Sequence, residues 1–130
     1  MNDTVMPTGI APTAARYAHA VVSEAGARLL HTSGIVPIAP DGSVPGAIAE
    51  QAAVVWANIA AILDAAGMSF TDVVAVTTYV VAGNELGPVM AARDQALDGH
   101  LAASTLVTVP ALVRPEWLVE IAVVAAAAAA

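Results

Sequence analysis

Two stretches of the sequence, residues 72–82 and 117–125, are apolar on both faces of an extended chain. β-Branched residues are frequent in both, and this composition favours strands. Strands that are apolar on both sides normally lie in the middle of a sheet that is covered on each face. The chain is therefore predicted to form a sheet that needs a layer of helices, or another subunit, on either side.

The second of these stretches contains a single charged residue, Glu120. Taking a carboxylate out of water is costly, so a Glu in such a strand is usually paired, hydrogen-bonded or directed at a cavity. The residues alone leave two interpretations open. Glu120 is either a structural carboxylate that bonds a neighbouring group or part of a polar ligand cleft.

Length and composition restrict the class of protein. The chain of 130 residues is expected to form one domain, residues 1–130, with a two-layer core. Hydrophobic residues make up 58% and charged residues 12%, so part of the apolar surface is expected in a subunit interface. The net charge of -7 has the wrong sign for phosphate backbones, which disfavours nucleic acid. There is no Cys and the three His lack metal-binding spacing, so no metal and no other cofactor is predicted.

The sequence also gives an expectation for the membrane and the compartment. No segment is expected to be long enough to cross a bilayer, because the longest candidate, residues 117–130, is too short and carries Glu120. Residues 1–10 lack the basic start and the apolar core of a signal peptide. The protein is therefore expected to be cytoplasmic and not associated with a membrane.

The predicted element order is β-β-α-β-α-β-β, an α+β layer pair with two helices on one side of a mixed sheet. Residues 1–15 are expected to be an N-terminal arm without an element of its own, and residues 126–130 an alanine-rich tail. Residues 18–23 and 28–33 have the pattern of a β-hairpin. Residues 104–109 are expected to form a further strand that ends at a proline.

The clearest periodicity predicts a helix over residues 48–66, with Gly67 where a helix stops. A second helix is predicted to begin near Pro88, because proline suits the first turn. Gln51 and Asn58 lie in one column of the first helix. They are expected to bond backbone groups of the connection that precedes it.

Several short motifs follow one another in an order and spacing that resembles the reactive intermediate deaminase (Rid, or YjgF-like) family of enamine and imine deaminases. In chain order the motifs are Arg16-Tyr17-Ala18-His19-Ala20-Val21, His31-Thr32-Ser33-Gly34-Ile35-Val36-Pro37 with Asp41-Gly42, Gln51, Asn58-Ile59, Leu63-Asp64-Ala65-Ala66-Gly67, Asp72-Val73-Val74 and Leu118-Val119-Glu120-Ile121. The resemblance covers about residues 15–125. It implies a chorismate-mutase-like α+β fold and a homotrimer whose sheets face an inner barrel, with a small-molecule cleft at each subunit interface.

The resemblance also assigns expected roles to individual positions. Glu120 matches a catalytic Glu that orients the attacking water. Tyr17 matches a Tyr near the N-terminus that lines the cleft, and it is the second expected catalytic residue. Ser33 and Gly34 match a Ser-Gly pair that borders the substrate.

One expected residue is missing from the pattern. Active members of the family have an Arg at the start of the penultimate strand that clasps the substrate carboxylate, and Ser104 or Thr105 takes that position here. Met90 replaces a frequent Asn and Leu106 a frequent Cys. A cleft without that charge is expected to lose its preference for small anionic imino acids and to accept neutral or larger ligands.

Three other arginines could approach the cleft from another direction. Arg93 is counted with the expected substrate-binding residues, and Arg16 and Arg114 are further candidates. For each of them a solvated surface position is the more ordinary interpretation, because Arg is mostly exposed. The sequence thus favours an enzyme that processes a small imine, enamine or related carbonyl compound. The alternative is a non-catalytic trimer that binds a small metabolite or a partner protein.

Overall fold

The computed structural model describes residues 2–129. In chain order the elements are β1 (Asp3–Val5), β2 (Ala20–Val22), β3 (Arg28–His31), α1 (Ile48–Ala65), a 3₁₀ turn (Phe70–Asp72), β4 (Val73–Val81), α2 (Gly87–Leu97), β5 (Ala103–Val109) and β6 (Val119–Ala127). The two helices and the later strands lie where the sequence predicted them, within one or two residues at most ends.

The main sheet has four strands in the order β3-β6-β4-β5. β4 and β5 run parallel, and β6 is antiparallel to both β3 and β4. The two strands that are apolar on both faces, β4 and β6, are therefore neighbours in the middle of the sheet, as such strands require. The predicted α+β arrangement with a mixed sheet is confirmed.

One face of the main sheet packs against the helices. The register pairs Val76 with Val123 and Val80 with Val119, and all four side chains are buried. They belong to one core cluster with the apolar stripe of α1. That stripe recurs at steps of three and four residues, at Ala52, Val55, Ile59 and Leu63. Tertiary packing of this stripe stabilises the predicted helix.

The other face of the main sheet carries no helix within the described residues. The paired residues on it are Tyr79 with Glu120, Thr77 with Ala122, and Ala75 with Val124. All of them are half-buried in the single chain. We call this surface the open face. It holds the one charged residue of β6.

The predicted hairpin of residues 18–23 and 28–33 is wrong. β2 pairs with β1 in a separate two-stranded sheet, whereas β3 pairs with β6. Alternation along the sequence identified both strands but could not identify their partners, since hydrogen bonding of this kind joins residues far apart in the chain.

Both ends of the chain contain more structure than expected. The arm predicted for residues 1–15 includes β1, and β6 continues to Ala127, two residues into the predicted tail. Asn2 Nδ2 donates a hydrogen bond of 2.9 Å to the backbone oxygen of Ala126, so the two ends are tied together. Met1 and Ala130, which the predicted arm and tail include, lie outside the described residues.

Gln51 connects the start of α1 to the start of β6. Its Nε2 donates to the backbone oxygens of Pro45 and Glu116, both at 2.8 Å, and its Oε1 accepts from the backbone nitrogen of Leu118 at 2.8 Å. Asn58 donates to the backbone oxygen of Ile38 at 2.9 Å. The prediction that both amides bond the backbone of the connection is confirmed, and Gln51 also fixes the strand that carries the lone carboxylate.

α1 is long and apolar enough to cross a membrane by length and composition alone, with a mean hydropathy of 1.3 over 18 residues. The expectation that no segment reaches such a length is therefore wrong. The buried stripe of α1 packs against the sheet. A core helix of a folded domain has this same combination of length and apolar content.

Candidate functional site

Glu120 lies on the open face, near the beginning of β6 and opposite Tyr79 of β4. It borders an open cleft of about 450 Å³, whose other lining residues are Tyr79, Val109, Ala111, Leu112 and Val113. The Glu120 side chain is half-buried. We call this space the Glu120 cleft. Sequence reasoning identified Glu120 but not its neighbours on β4 and on the loop after β5, because these residues have no special chemistry in the sequence.

Gly34 presses directly against the Glu120 carboxylate. Backbone hydrogen bonds between Ile35 and Ile121, of 2.7 and 3.1 Å, hold the segment after β3 against β6. A Cβ added at Gly34 would lie 2.7 Å from Cδ of Glu120, closer than real Cβ atoms approach another group. Gly34 is not among the glycines with positive φ. A side chain at this position would displace the Glu120 carboxylate, so glycine permits this placement of the carboxylate and is not required by the backbone conformation.

The carboxylate of Glu120 forms no hydrogen bond or ion pair within residues 2–129. A structural carboxylate in a strand would be expected to bond a nearby donor, because an unpaired polar group at a partly buried position is costly. Within the described residues Glu120 therefore has no bonded neighbour of the kind that the structural interpretation expects, and its side chain borders the cleft.

A second cleft, of about 420 Å³, lies at the β5 edge of the main sheet. It is lined by Ala14, Ala15, Tyr17, Met90, Arg93, Ser104, Thr105 and Leu106. We call it the Arg93 cleft. Six of the nine residues that the sequence suggested for the site meet here, although they come from the N-terminal segment, from α2 and from β5.

Tyr17 reaches this cleft because the N-terminal segment runs alongside the edge strand. The backbone nitrogen of Ala18 donates to the backbone oxygen of Ala102 at 2.9 Å, and Ala18 forms a parallel bridge with Ala103. The Tyr17 hydroxyl accepts a long hydrogen bond of 3.4 Å from the backbone nitrogen of Ala14. The ring is thus held beside β5 while its hydroxyl retains the capacity to donate.

Arg93 contradicts the expectation of a solvated arginine. It is 5% exposed and shares the buried side of α2 with Val89 and Leu97, four residues away in each direction. Its Nε and Nη2 both donate to Oδ1 of Asp94 at 3.1 Å. The spacing of Arg93 from two apolar residues, by one helical turn each, was the sequence signal that could have revealed this burial.

The other two candidate arginines are at the surface, as expected. Arg16 and Arg114 are both exposed, and the Arg114 guanidinium lies 5.3 Å from the centre of the Trp117 ring, in a cation–π contact. Neither lines the Glu120 cleft or the Arg93 cleft. Ser33 is exposed next to Gly34 and lines neither cleft. In the part of the chain that the structure describes, no cluster of three or more His, Asp or Glu could hold a metal ion.

A model of the family described as Endoribonuclease L-PSP matches residues 8–127. The chain belongs to this family. Rat 2-iminobutanoate/2-iminopropanoate deaminase is 34% identical over 111 residues, which cover 83% of this chain and 79% of the rat protein. The Rid resemblance seen in the sequence is confirmed.

Solved structures of Rid proteins share the fold. The Rid-family protein YyfB of Yersinia pestis superposes with a TM-score of 0.88 at 31% identity, over 97% of this chain and 98% of that one. Escherichia coli TdcF, solved with bound serine, has a TM-score of 0.72 at 26% identity, over 95% of this chain and 94% of that one. The chorismate-mutase-like fold expected from the resemblance is therefore present.

The Rid pattern is divided between the two clefts. Glu120, which is in contact with Gly34, lines one of them, and Tyr17 lines the other, with no lining residue in common. β6 and β5 are separated by β4, which corresponds to about 10 Å across two strand spacings. A single copy of the chain thus presents the expected residues in separate places.

Proposed function

We propose that this Rid protein hydrolyses a small imine, or the enamine that tautomerises to it, with Glu120 as the group that orients and deprotonates water. The observation that carries the proposal is the environment of the Glu120 side chain. Its carboxylate is half-buried in an apolar strand, crowded by Gly34 and free of hydrogen bonds within the described range. Membership in a family that contains a named imine deaminase supports the same chemistry.

The reaction needs few groups. The protonated imine has an electrophilic carbon, and a water molecule held by Glu120 attacks it while the carboxylate accepts a proton from that water. Glu120 then returns this proton to the nitrogen of the carbinolamine, and the carbon–nitrogen bond breaks while the departing ammonia takes up the proton of the hydroxyl group. The products are a carbonyl compound and an ammonium ion, and Glu120 is again ionised.

In this proposal two copies of the chain supply one active site. Glu120 and Gly34 of one copy face the Arg93 cleft of its neighbour, so that Tyr17 borders the same ligand. The division of the expected residues between two clefts supports this arrangement, as does the open face, which lacks a covering layer in the single chain. The assembly is the homotrimer expected for Rid proteins, with the open faces directed inwards.

The ligand is proposed to be a small metabolite and not RNA, despite the family description. The net charge is -7, and the basic residues number four in the whole chain. Binding to nucleic acid depends on neutralising many phosphates with basic groups. Clefts of about 420 and 450 Å³ suit a small molecule instead.

Ammonia release from freshly generated imines tests the proposal. The substrates are the imines of alanine, leucine and glutamate, each compared with its spontaneous hydrolysis. We expect Glu120→Gln to lower kcat/KM by about 100-fold or more, because general-base catalysis contributes on that order. Glu116→Gln, which changes an exposed carboxylate outside both clefts, is the matched control. Equal rates for the wild type and Glu120→Gln would contradict the proposed role.

A second candidate function is a trimer that binds a metabolite without turning it over. The observation that favours it is the replacement of the family arginine by Ser104 or Thr105 in β5, which removes the usual anchor for the substrate. The two functions differ in one result. Saturable binding of a carbonyl compound without acceleration of any imine hydrolysis would support the binding protein.

A further inference from the structure

We infer that Arg93 binds the anionic group of the ligand, in place of an arginine on β5. The inference deepens the proposed function, because it gives the ligand of the same site a chemical class: a small carboxylate. It also reverses the expectation that this cleft has lost its fixed positive charge. Arg93 approaches the cleft from α2, one helical turn beyond Met90.

Arg93 is exceptional among the basic residues of the chain. The sequence contains four basic residues, all arginines, and the other three, Arg16, Arg28 and Arg114, are exposed. A guanidinium inside a folded protein needs anionic or carbonyl partners, since its desolvation is costly. Burial of one specific arginine at the wall of a cleft therefore requires an explanation.

Asp94 satisfies only part of the hydrogen-bonding requirement of the Arg93 guanidinium. A guanidinium has five N–H groups, and Asp94 receives one from Nε and one from Nη2. Nη1 donates to no group within residues 2–129. The Asp94 side chain is itself 32% exposed, so it is a partly hydrated partner. Arg93 keeps donors for a further anion.

The remaining lining of the cleft suits an anion as well. Tyr17, Ser104 and Thr105 contribute hydroxyl groups, and the other lining residues are apolar. None of the lining residues is acidic. A carboxylate in this cleft would receive a charge-assisted hydrogen bond from the guanidinium and neutral bonds from the hydroxyls.

The binding of pyruvate tests this assignment without requiring turnover. Pyruvate carries a carboxylate next to a carbonyl group, and methyl pyruvate is its neutral counterpart of similar shape. Dissociation constants are measured by NMR titration for the wild type, Arg93→Met and Arg93→Lys. We expect Arg93→Met to weaken pyruvate binding by about 10- to 100-fold, with methyl pyruvate little changed and Arg93→Lys in between.

The chain offers matched controls for the loss of one positive charge. Arg16→Met and Arg114→Met should leave pyruvate binding unchanged, because both residues are exposed and lie outside the cleft. Loss of binding in either of them, or equal pyruvate affinity in wild type and Arg93→Met, would overturn the assignment.

Asp94→Asn separates a ligand-binding role from a structural one. It removes the anion that competes for the guanidinium, so we expect it to tighten pyruvate binding. A purely structural Arg93–Asp94 pair would give no tightening. This second variant keeps the assignment testable if Arg93→Met does not fold, and unchanged or weaker binding in Asp94→Asn would then overturn it.

Failure of the Arg93 assignment can be distinguished from failure of the proposed hydrolase function. If pyruvate binding depends on Arg93 but no imine is hydrolysed, Arg93 is the anion site of a binding protein. If imines are hydrolysed with a dependence on Glu120 while pyruvate and methyl pyruvate bind equally well, the hydrolase proposal stands and the Arg93 assignment fails.

Discussion

At the scale of single residues, the proposed site depends on the contact between Gly34 and Glu120. A strand residue with a carboxylate could turn its side chain towards several neighbours, and the absence of a side chain at position 34 leaves room for one particular placement. The surrounding backbone is fixed by the Ile35–Ile121 hydrogen bonds. The position of the proposed water-activating group is thus set by a glycine that is far from it in sequence.

Gly34→Ala should therefore reduce activity while leaving the fold intact. The added methyl group meets the flexible end of the Glu120 side chain, which can move. The substitution therefore displaces the carboxylate and does not disrupt the fold. We expect kcat/KM for imine hydrolysis to fall by about 100-fold, as a displacement of about 1 Å can cause. Gly46→Ala is the matched control, because nothing lies within 4 Å of a Cβ there and its φ is not positive. Equal activity of the two variants would argue against the contact.

At the scale of secondary-structure elements, the start of α1 positions the start of β6. Gln51 is 1% exposed and joins both elements through three hydrogen bonds. Asn58, two turns along the same helix, makes one bond to the connection that precedes α1. The two amides look alike in the sequence, but they differ in the number of backbone groups that depend on them.

Gln51→Leu should destabilise the protein more than Asn58→Leu does. The first change leaves two carbonyl groups and one N–H without partners, and we expect a loss of about 2–4 kcal/mol in the free energy of unfolding. The second leaves one carbonyl without its partner and should cost about 1 kcal/mol. Urea denaturation at one fixed protein concentration gives the comparison, because subunit assembly adds to apparent stability. Equal losses of unfolding free energy in the two variants would show that the number of hydrogen bonds removed does not determine the destabilisation.

The elements themselves were largely predictable from the sequence, but their partners were not. The periodicity of α1 and the two-sided apolar character of β4 and β6 follow from local residue patterns. The pairing of β2 with β1 does not, since three exposed residues at positions 3–5 give almost no strand signal. The burial of Arg93 is indicated only by its helical spacing from Val89 and Leu97, whereas the general exposure of arginine favours the opposite expectation.

The candidate site was predictable to a similar extent. Glu120 stood out because a charge in an apolar strand is unusual, and the family resemblance added Tyr17 and Gly34. What the sequence could not give is the division of these residues between two clefts, because that depends on which side of the sheet each element lies. The roles of the individual residues, the trimer and the cytoplasmic location stay predictions.

At the scale of the whole molecule, the proposed trimer would account both for the open face and for the separation of the expected residues between two clefts. A second copy of the chain that covers the open face would also bring a Glu120 cleft to an Arg93 cleft. Assembly would then be a condition of activity and not merely of stability. The light-scattering mass of the protein should correspond to three chains.

The most direct test of this account is complementation between two variants, one that lacks the Glu120 carboxylate and one that lacks Tyr17, the second residue expected to be catalytic. Glu120→Gln and Tyr17→Ala are each purified, mixed in equal amounts, unfolded and refolded together, and assayed for imine hydrolysis. If each site takes Glu120 from one chain and Tyr17 from another, about a quarter of the sites in random trimers contain both intact residues. A mixture of Glu120→Gln with Gly34→Ala is the control, because both changes damage the Glu120 side of the proposed site and no intact site can form. We predict recovery of about a quarter of the wild-type activity in the first mixture and none in the second. No recovery in the first mixture, from variants that still assemble as trimers, would contradict a site shared between two copies.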